Sequence, residues 1–233
     1  MAYCENAYVF YVTKTLGSLL YALWVGDARH TIDFKLIDHS MIMKKYLFFS
    51  IFLSLALTAN AQQYQLNPEQ SGLSWTGRAA YSAYTLGGTI QARSGTLSCE
   101  GERILQGELA IDMQSIQSDI GQLTKHLRSA DFFEVKRFPE AHFTLGQPFT
   151  PGSTAGTASG MLTIKGIAKE EKIQLTARRE GKTLRLEDKA AIDRTAYGIY
   201  YNSPSFFEGL KQEAIANDFE LAFKLVFEEM EKE

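Results

Sequence analysis

The stretch NDFELAFKLVFEE, Asn217 to Glu229, leaves few folds open. Phe219, Leu221, Phe223, Leu225 and Phe227 fall on one side of an extended chain, and Glu220, Lys224 and Glu228 fall on the other. A period of two held over about ten residues reads as an antiparallel strand with one buried and one wet face. Weaker versions recur at Leu73, Trp75 and Gly77, at Leu105, Gly107, Leu109, Ile111 and Met113, at Gly160, Leu162 and Ile164, at Ile173, Leu175 and Ala177, and at Ala190 and Ile192. Turn signals separate these runs: Asn67-Pro68, Gly87-Gly88, Glu100-Gly101, Pro151-Gly152, Lys165-Gly166 and Glu180-Gly181. About eight strands joined by short connections imply an all-β sandwich or an up-and-down barrel, which the pattern does not separate. Gly77, Gly107 and Gly160 share the inward faces with large apolar residues, and mid-strand glycines mark a bend or a close approach by a ligand or backbone.

One segment breaks the alternation. Between Ser118 and Arg128, Ile120, Leu123 and Leu127 recur at spacings of three and four, with Ser118 or Asp119 available as N-cap. This predicts one short helix inserted between strands, ending before Phe132 and Phe133 and stopped by Pro139. Neighbouring residues point in different directions, so one core face does not easily take both rings. The expectation is that one ring seals the helix to the body and the other reaches an interior space.

The first 61 residues read differently. From Met43, MKKYLFFSIFLSLALTANAQQ has Lys44 and Lys45, an apolar run from Tyr46 to Leu57, and Ala59-Asn60-Ala61, the layout of a secretory signal peptide cleaved after Ala61. Residues 1–42 then represent an upstream extension from a mis-set start. The rival is a membrane helix over Ala7–Val25, burdened by Lys14 near its centre. On the first reading residues 62–233 form one exported domain, periplasmic or secreted, with no later apolar segment for stable membrane insertion.

That domain carries 19 Lys and Arg against 23 Asp and Glu, with no basic cluster beyond pairs such as Arg178-Arg179, which speaks against a nucleic-acid surface. Its one cysteine, Cys99, has no partner for an internal disulfide, and the neighbouring Glu100 in a turn-like segment would raise its pKa. His126 and His142, sixteen residues apart, do not have zinc-ligand spacing. No Gly-x-Ser-x-Gly elbow occurs, and GSTAGTASG lacks the lysine of a phosphate loop. Neither an enzyme, a metal site nor a cofactor is implied.

Five segments taken in order resemble the YceI-like lipid and polyisoprenoid-binding proteins: YQLNPEQSGLSWTG, GELAIDMQSIQSD, HLRSADFFEVKRFPEAHF, GMLTIKGIAKEEKIQL and IDRTAYGI. The third is the most specific, and the likeness runs from Tyr64 to about Phe227. The resemblance implies an eight-stranded antiparallel lipocalin-like barrel with a helix near one end, holding a long amphipathic lipid without catalysis. Trp75, Leu109, Met113, Phe143, Leu162, Phe219, Phe223 and Phe227, with Phe132 and Phe133, would line such a pore; the plainer alternative is that they fill it. A barrel filled in this way would serve as an interaction or stress-response module.

His126 and Arg128 are head-group candidates, against a simple solvated helix end. Arg194 is a third, against an ion pair or backbone hydrogen bonds. The long link from Tyr200 to Asp218 departs from the family pattern, and its Phe206 and Phe207 offer a homodimer contact if exposed.

Overall fold

The computed structural model describes residues 10–12, 20–22, 61–151 and 155–231. The expected signal peptide over residues 43–61 lies outside the described residues except for Ala61. Within residues 1–59, Phe10–Val12 (β1) and Leu20–Ala22 (β2) pair antiparallel.

The second unit, residues 60–233, is built from β3 (Gln62–Leu66), β4 (Gly72–Arg78), β5 (Thr85–Glu100), β6 (Arg103–Gln117), helix α1 (Gly121–Leu127), β7 (Glu140–Leu145), β8 (Gly156–Ile164), β9 (Ile167–Glu180), β10 (Thr183–Asp193) and β11 (Asp218–Glu229). Each strand pairs antiparallel with its neighbour from β5 round to β10. β10 then pairs with β11 along eleven positions, from Thr183↔Glu228 to Asp193↔Asp218. β3 and β4 both lie between β11 and β5 and act as two halves of one stave, which closes an eight-staved antiparallel barrel. Closure removes the free sheet edges that would otherwise template aggregation.

The break between β3 and β4 is stitched rather than open. Asn67 donates its backbone N–H to Val226 O at 2.8 Å, and Ser71 Oγ, itself donating to Asn67 O at 2.7 Å, accepts from Val226 N at 3.0 Å. The loop covers the outward side of β11, so Leu225, Val226 and Phe227 are buried in succession and the alternation ends there. A second irregularity sits in the β9–β10 ladder, which runs only from Thr183↔Glu180 to Glu187↔Thr176. Beyond it a 3-10 turn, Arg194–Tyr197, packs at the seam, with Tyr197 fully buried and donating its hydroxyl to Glu171 Oε1 at 2.8 Å.

Several sequence expectations change in detail. Gly87 and Gly88 lie inside β5 instead of making a turn. A Cβ on Gly88 would stand 1.9 Å from Gln117 O and 2.8 Å from the Trp75 ring, so glycine there lets three strands close on one another. Ile104 rather than Leu105 points inward, because the β5–β6 register shifts between Ser98 and Cys99. Cys99 lies in β5, fully buried, and burial, opposed by the Arg179 guanidinium, pushes its thiol pKa up. Neither Ser118 nor Asp119 caps α1: Ile120 is the N-cap residue and is exposed, while Thr124 Oγ1 accepts from Ser118 N at 2.9 Å and donates to Ser118 O at 3.1 Å.

Candidate ligand-binding interior

Along β11 the inward residues trace the barrel from α1 to the opposite end. Two hollows lie on that line, each about 100 Å³ and each with a wholly apolar exposed wall. The hollow next to α1, the proximal one, is lined by Trp75, Met113, Leu127, Phe132, Phe133 and Phe219 among others. The distal hollow is lined by Leu109, Phe143, Phe223, Leu225 and Phe227, together with Leu97 and Leu145. Ile111, Leu162, Ile192 and Leu221 line both, so the two hollows are neighbours at mid-barrel. All ten residues expected on a pore wall therefore face one hollow or the other. Leu109, Phe143, Phe219, Leu221 and Phe223 point inward yet are only partly buried, since part of their surface faces empty space.

The three inward glycines differ. At Gly77 a Cβ would meet nothing within 4 Å, and the residue lines the proximal hollow. At Gly107 it would press on Leu97 Cδ2 at 3.0 Å, at the wall of the distal hollow. At Gly160 it would strike Phe143 Cζ and Thr144 O, both at 2.5 Å, so this glycine admits a side chain of the protein itself.

Phe132 and Phe133 are both buried and both line the proximal hollow. The backbone that places them is tightly folded: Phe132 N donates to Ser129 O, Phe133 N to Leu127 O, and Val135 N to Arg128 O. Both rings thus reach the interior, which replaces the expected split between a sealing ring and a pore ring. Their other contacts do differ. Phe133 meets Phe219 edge-on, with centroids 6.3 Å apart, whereas Phe132 packs against His126 at 4.9 Å and Tyr201 at 5.5 Å. Tyr201 was not singled out in the sequence, because its partner in the cluster is some seventy residues away and no local pattern links them.

The three head-group candidates sit around this end. Arg194 is buried and lines the proximal hollow. It donates from Nε to Ala216 O at 3.0 Å, from Nη1 to Ile199 O at 2.8 Å and from Nη2 to Ile215 O at 3.0 Å. Among the described residues it has no ion-pair partner, and burial lowers its pKa while Asp193 opposes the shift. Asp193 is engaged as a cap, accepting from Thr195 N at 2.8 Å. Arg128 donates from Nε to Ile116 O at 3.0 Å, and His126 Nε2 lies 3.3 Å from Asp131 Oδ2. Neither Arg128 nor His126 is among the residues lining the proximal hollow.

The opposite end is closed by polar bonds at its rim. Arg179 donates to Gln62 Oε1 and to Gly101 O, both at 2.8 Å, and its guanidinium lies 5.4 Å from the Tyr64 ring centroid. Tyr64 is fully buried there, its hydroxyl without a hydrogen-bond partner among the described residues, and burial raises its pKa.

A closed antiparallel barrel with an apolar hollow axis and a helix beside one end defines a lipocalin-like β-barrel. The chain belongs to the YceI-like domain family, whose model matches residues 64–227. Among curated relatives, a UPF0312 protein of Pseudomonas putida is 26% identical over 147 residues, covering 60% of this chain and 77% of that protein. A UPF0312 protein of Vibrio campbellii is 27% identical over 133 residues, covering 54% of this chain and 70% of that one. Among solved structures, BcnA of Burkholderia cenocepacia matches with a TM-score of 0.57 at 19% identity, over 69% of this chain and 98% of that one. A polyisoprenoid binding domain from Saccharophagus degradans matches with a TM-score of 0.56 at 17% identity, over 72% and 98%. At these identities the structural matches establish the fold.

Proposed function

We propose that this protein binds one long-chain amphipathic lipid, an isoprenoid or a fatty-acid derivative, with its chain along the barrel axis, and carries or sequesters it without chemical change. The observation that carries the reading is the pair of apolar hollows that share wall residues at mid-barrel. Native cores hold few voids larger than a water molecule. At about 24 cal/mol per Å³, hollows totalling roughly 200 Å³ would cost on the order of 5 kcal/mol if left empty, comparable to the stability of a whole domain. A chain inside offsets that loss, since each buried methylene contributes about 0.8 kcal/mol. A filled barrel acting only as an interaction module has no use for such space. The name of the Saccharophagus degradans neighbour, a polyisoprenoid binding domain, supports the same ligand class.

The polar head belongs at the α1 end. Arg194 spends three of its five N–H donors on backbone carbonyls and has no ion-pair partner among the described residues, which makes it the candidate counter-charge for an anionic head group at this end. Arg128 and His126, outside the hollow, remain candidates for contact with a head group only at its outer edge. Export to the periplasm or beyond rests on the signal-peptide pattern before Gln62, the residue at which β3 begins. N-terminal sequencing of the exported protein tests this part: a chain starting at Gln62 supports it, and one retaining Tyr8 to Trp24 contradicts it.

Organic extraction of the purified protein followed by mass spectrometry tests the binding reading. A stoichiometric long-chain lipid is the expected result. Persistent absence of lipid, together with failure to take up added prenyl or acyl chains, contradicts it.

A further inference from the structure

The two ends of the barrel differ in surface chemistry as well as in closure. The exposed aromatic side chains gather at the α1 end: Tyr81 and Tyr84 on the β4–β5 loop, and Tyr200, Tyr201, Phe206 and Phe207 on the β10–β11 link. The two loops are one surface, because Ala80 N donates to Ala214 O and Ile215 N to Asn202 O, both at 2.8 Å. The link is also anchored. Ser203, fully buried, donates to Asn217 Oδ1 at 2.7 Å, and Phe206 N and Phe207 N both donate to Ser203 O. Phe206 and Tyr200 lie with centroids 4.2 Å apart. The rings are thus held outward by a fixed backbone.

Beside this surface, Lys125, Arg128, Lys136 and Arg137 line one shallow depression formed by α1 and the loop after it. The acid in that depression is Glu134, 3.8 Å from Arg137. Tyr201 joins the two patches, its ring 4.5 Å from that of His126 on α1. At the far end the turns and the last strand instead carry Glu100, Glu102, Glu180, Glu229 and Glu231 around Arg179 and Lys182. The α1 end, which also carries Asp119, Asp131, Glu208 and Glu213, therefore presents one basic depression beside an aromatic-tipped surface, while the far end, Arg103 included, presents a mainly acidic rim.

We propose that the α1 end docks on the surface of an anionic lipid bilayer, its aromatic tips entering the interfacial layer and its basic cluster facing the head groups. Aromatic side chains favour the boundary between hydrocarbon and water, and clustered Lys and Arg are drawn to anionic lipid. The acidic far end turns the barrel so that the proximal hollow faces the membrane. The assignment deepens the lipid-binding reading by naming where the lipid is exchanged, but its geometry does not depend on that reading.

Co-sedimentation with vesicles of phosphatidylglycerol and phosphatidylcholine, and with phosphatidylcholine alone, tests the docking. Compared proteins carry identical N-terminal residues. Wild type is expected to bind the anionic vesicles at least tenfold more strongly than the neutral ones at low salt, with the preference fading as salt rises. The triple variant Tyr84→Ser, Phe206→Ser, Phe207→Ser should lose at least tenfold on both compositions. Lys125→Glu with Lys136→Glu should lose at least fivefold per position on anionic vesicles only. Lys182→Glu at the far end should change nothing.

These positions are exposed, so unchanged thermal unfolding separates lost docking from lost fold. Wild type that ignores both vesicle types overturns the proposal. So does a triple variant whose only change is the loss of a concentration-dependent dimer in sedimentation, which would make the aromatic face a contact between two copies. Docking with neither an extractable lipid nor uptake of added prenyl or acyl chains would sink the lipid-binding reading and leave the docking intact.

Discussion

The α1 end and the far end of the barrel are both held by an arginine, and the two arginines do different things. Arg179 is exposed, bridges Gln62 and Gly101 across the rim, and lies over Tyr64. Arg194 is buried, ties the turn after β10 to the chain leading into β11, and forms part of the wall of the proximal hollow. One is a clasp on a closed end; the other is a buried cation built into the cavity. Closing a barrel end takes surface bonds alone, whereas keeping a charge beside an apolar space takes backbone carbonyls turned towards it.

Removing each arginine in turn separates the two roles. Arg194→Met strands three buried carbonyls and is expected to lower stability by on the order of 4 kcal/mol in urea unfolding, at about 1–3 kcal/mol per unsatisfied group. Arg179→Met at the wet rim should cost no more than about 1 kcal/mol. Equal losses would mean that the two ends are held in the same way.

The paired phenylalanines come next. Phe132→Ala gives up contacts with His126 and Tyr201 as well as wall area, so about 3–4 kcal/mol is expected, while Phe133→Ala should lose about 2–3 kcal/mol. Both should weaken lipid retention, since both rings line the proximal hollow. Retention unaffected by either would remove that hollow from the binding account.

Gly160 and Gly77 separate packing from cavity. Gly160→Ala forces Phe143 and the Thr144 carbonyl aside and is expected to cost about 1–3 kcal/mol by thermal unfolding. Gly77→Leu has open space before it, so the fold should hold within about 1 kcal/mol while extracted lipid falls sharply. The smallest effect is electrostatic. The Arg78 guanidinium, 2.7 Å from Asp218, holds that carboxyl below its usual pKa. The pair therefore contributes fully above the ordinary carboxylate range and is lost as pH falls through the depressed value. The Tm gap between wild type and Arg78→Met, worth no more than about 1 kcal/mol at neutral pH, should vanish in strong acid.

Much of this was legible in the sequence, and the failures have physical causes. The alternation in β11 named every inward residue from Phe219 to Phe227, because a strand with one face on a cavity must alternate. β5 was hidden, since its glycines read as a turn; they are needed where Trp75 and the Gln117 carbonyl approach Gly88. The fate of Phe132 and Phe133 was only half legible: the helix before them was visible, but the folded loop that turns both rings inward depends on backbone bonds to Leu127 and Ser129. Arg194 stood out as a candidate, yet the three carbonyls that receive it come from chain five to twenty-two residues away, beyond any local pattern.

Under the proposed function the two hollows act together as one chain-binding tunnel. From Phe219 to Phe227, β11 rises roughly 27 Å at ~3.4 Å per residue, or about 20 Å along the axis of a barrel whose strands tilt by ~40°. Affinity for a homologous series of saturated chains with one head group tests the claim most directly. It should rise about fourfold per methylene, the equivalent of ~0.8 kcal/mol, until the chain fills both hollows, and then level off where Tyr64 and Arg179 close the far end. Affinity that ignores chain length, or that levels off after a chain long enough for the proximal hollow alone, would contradict it.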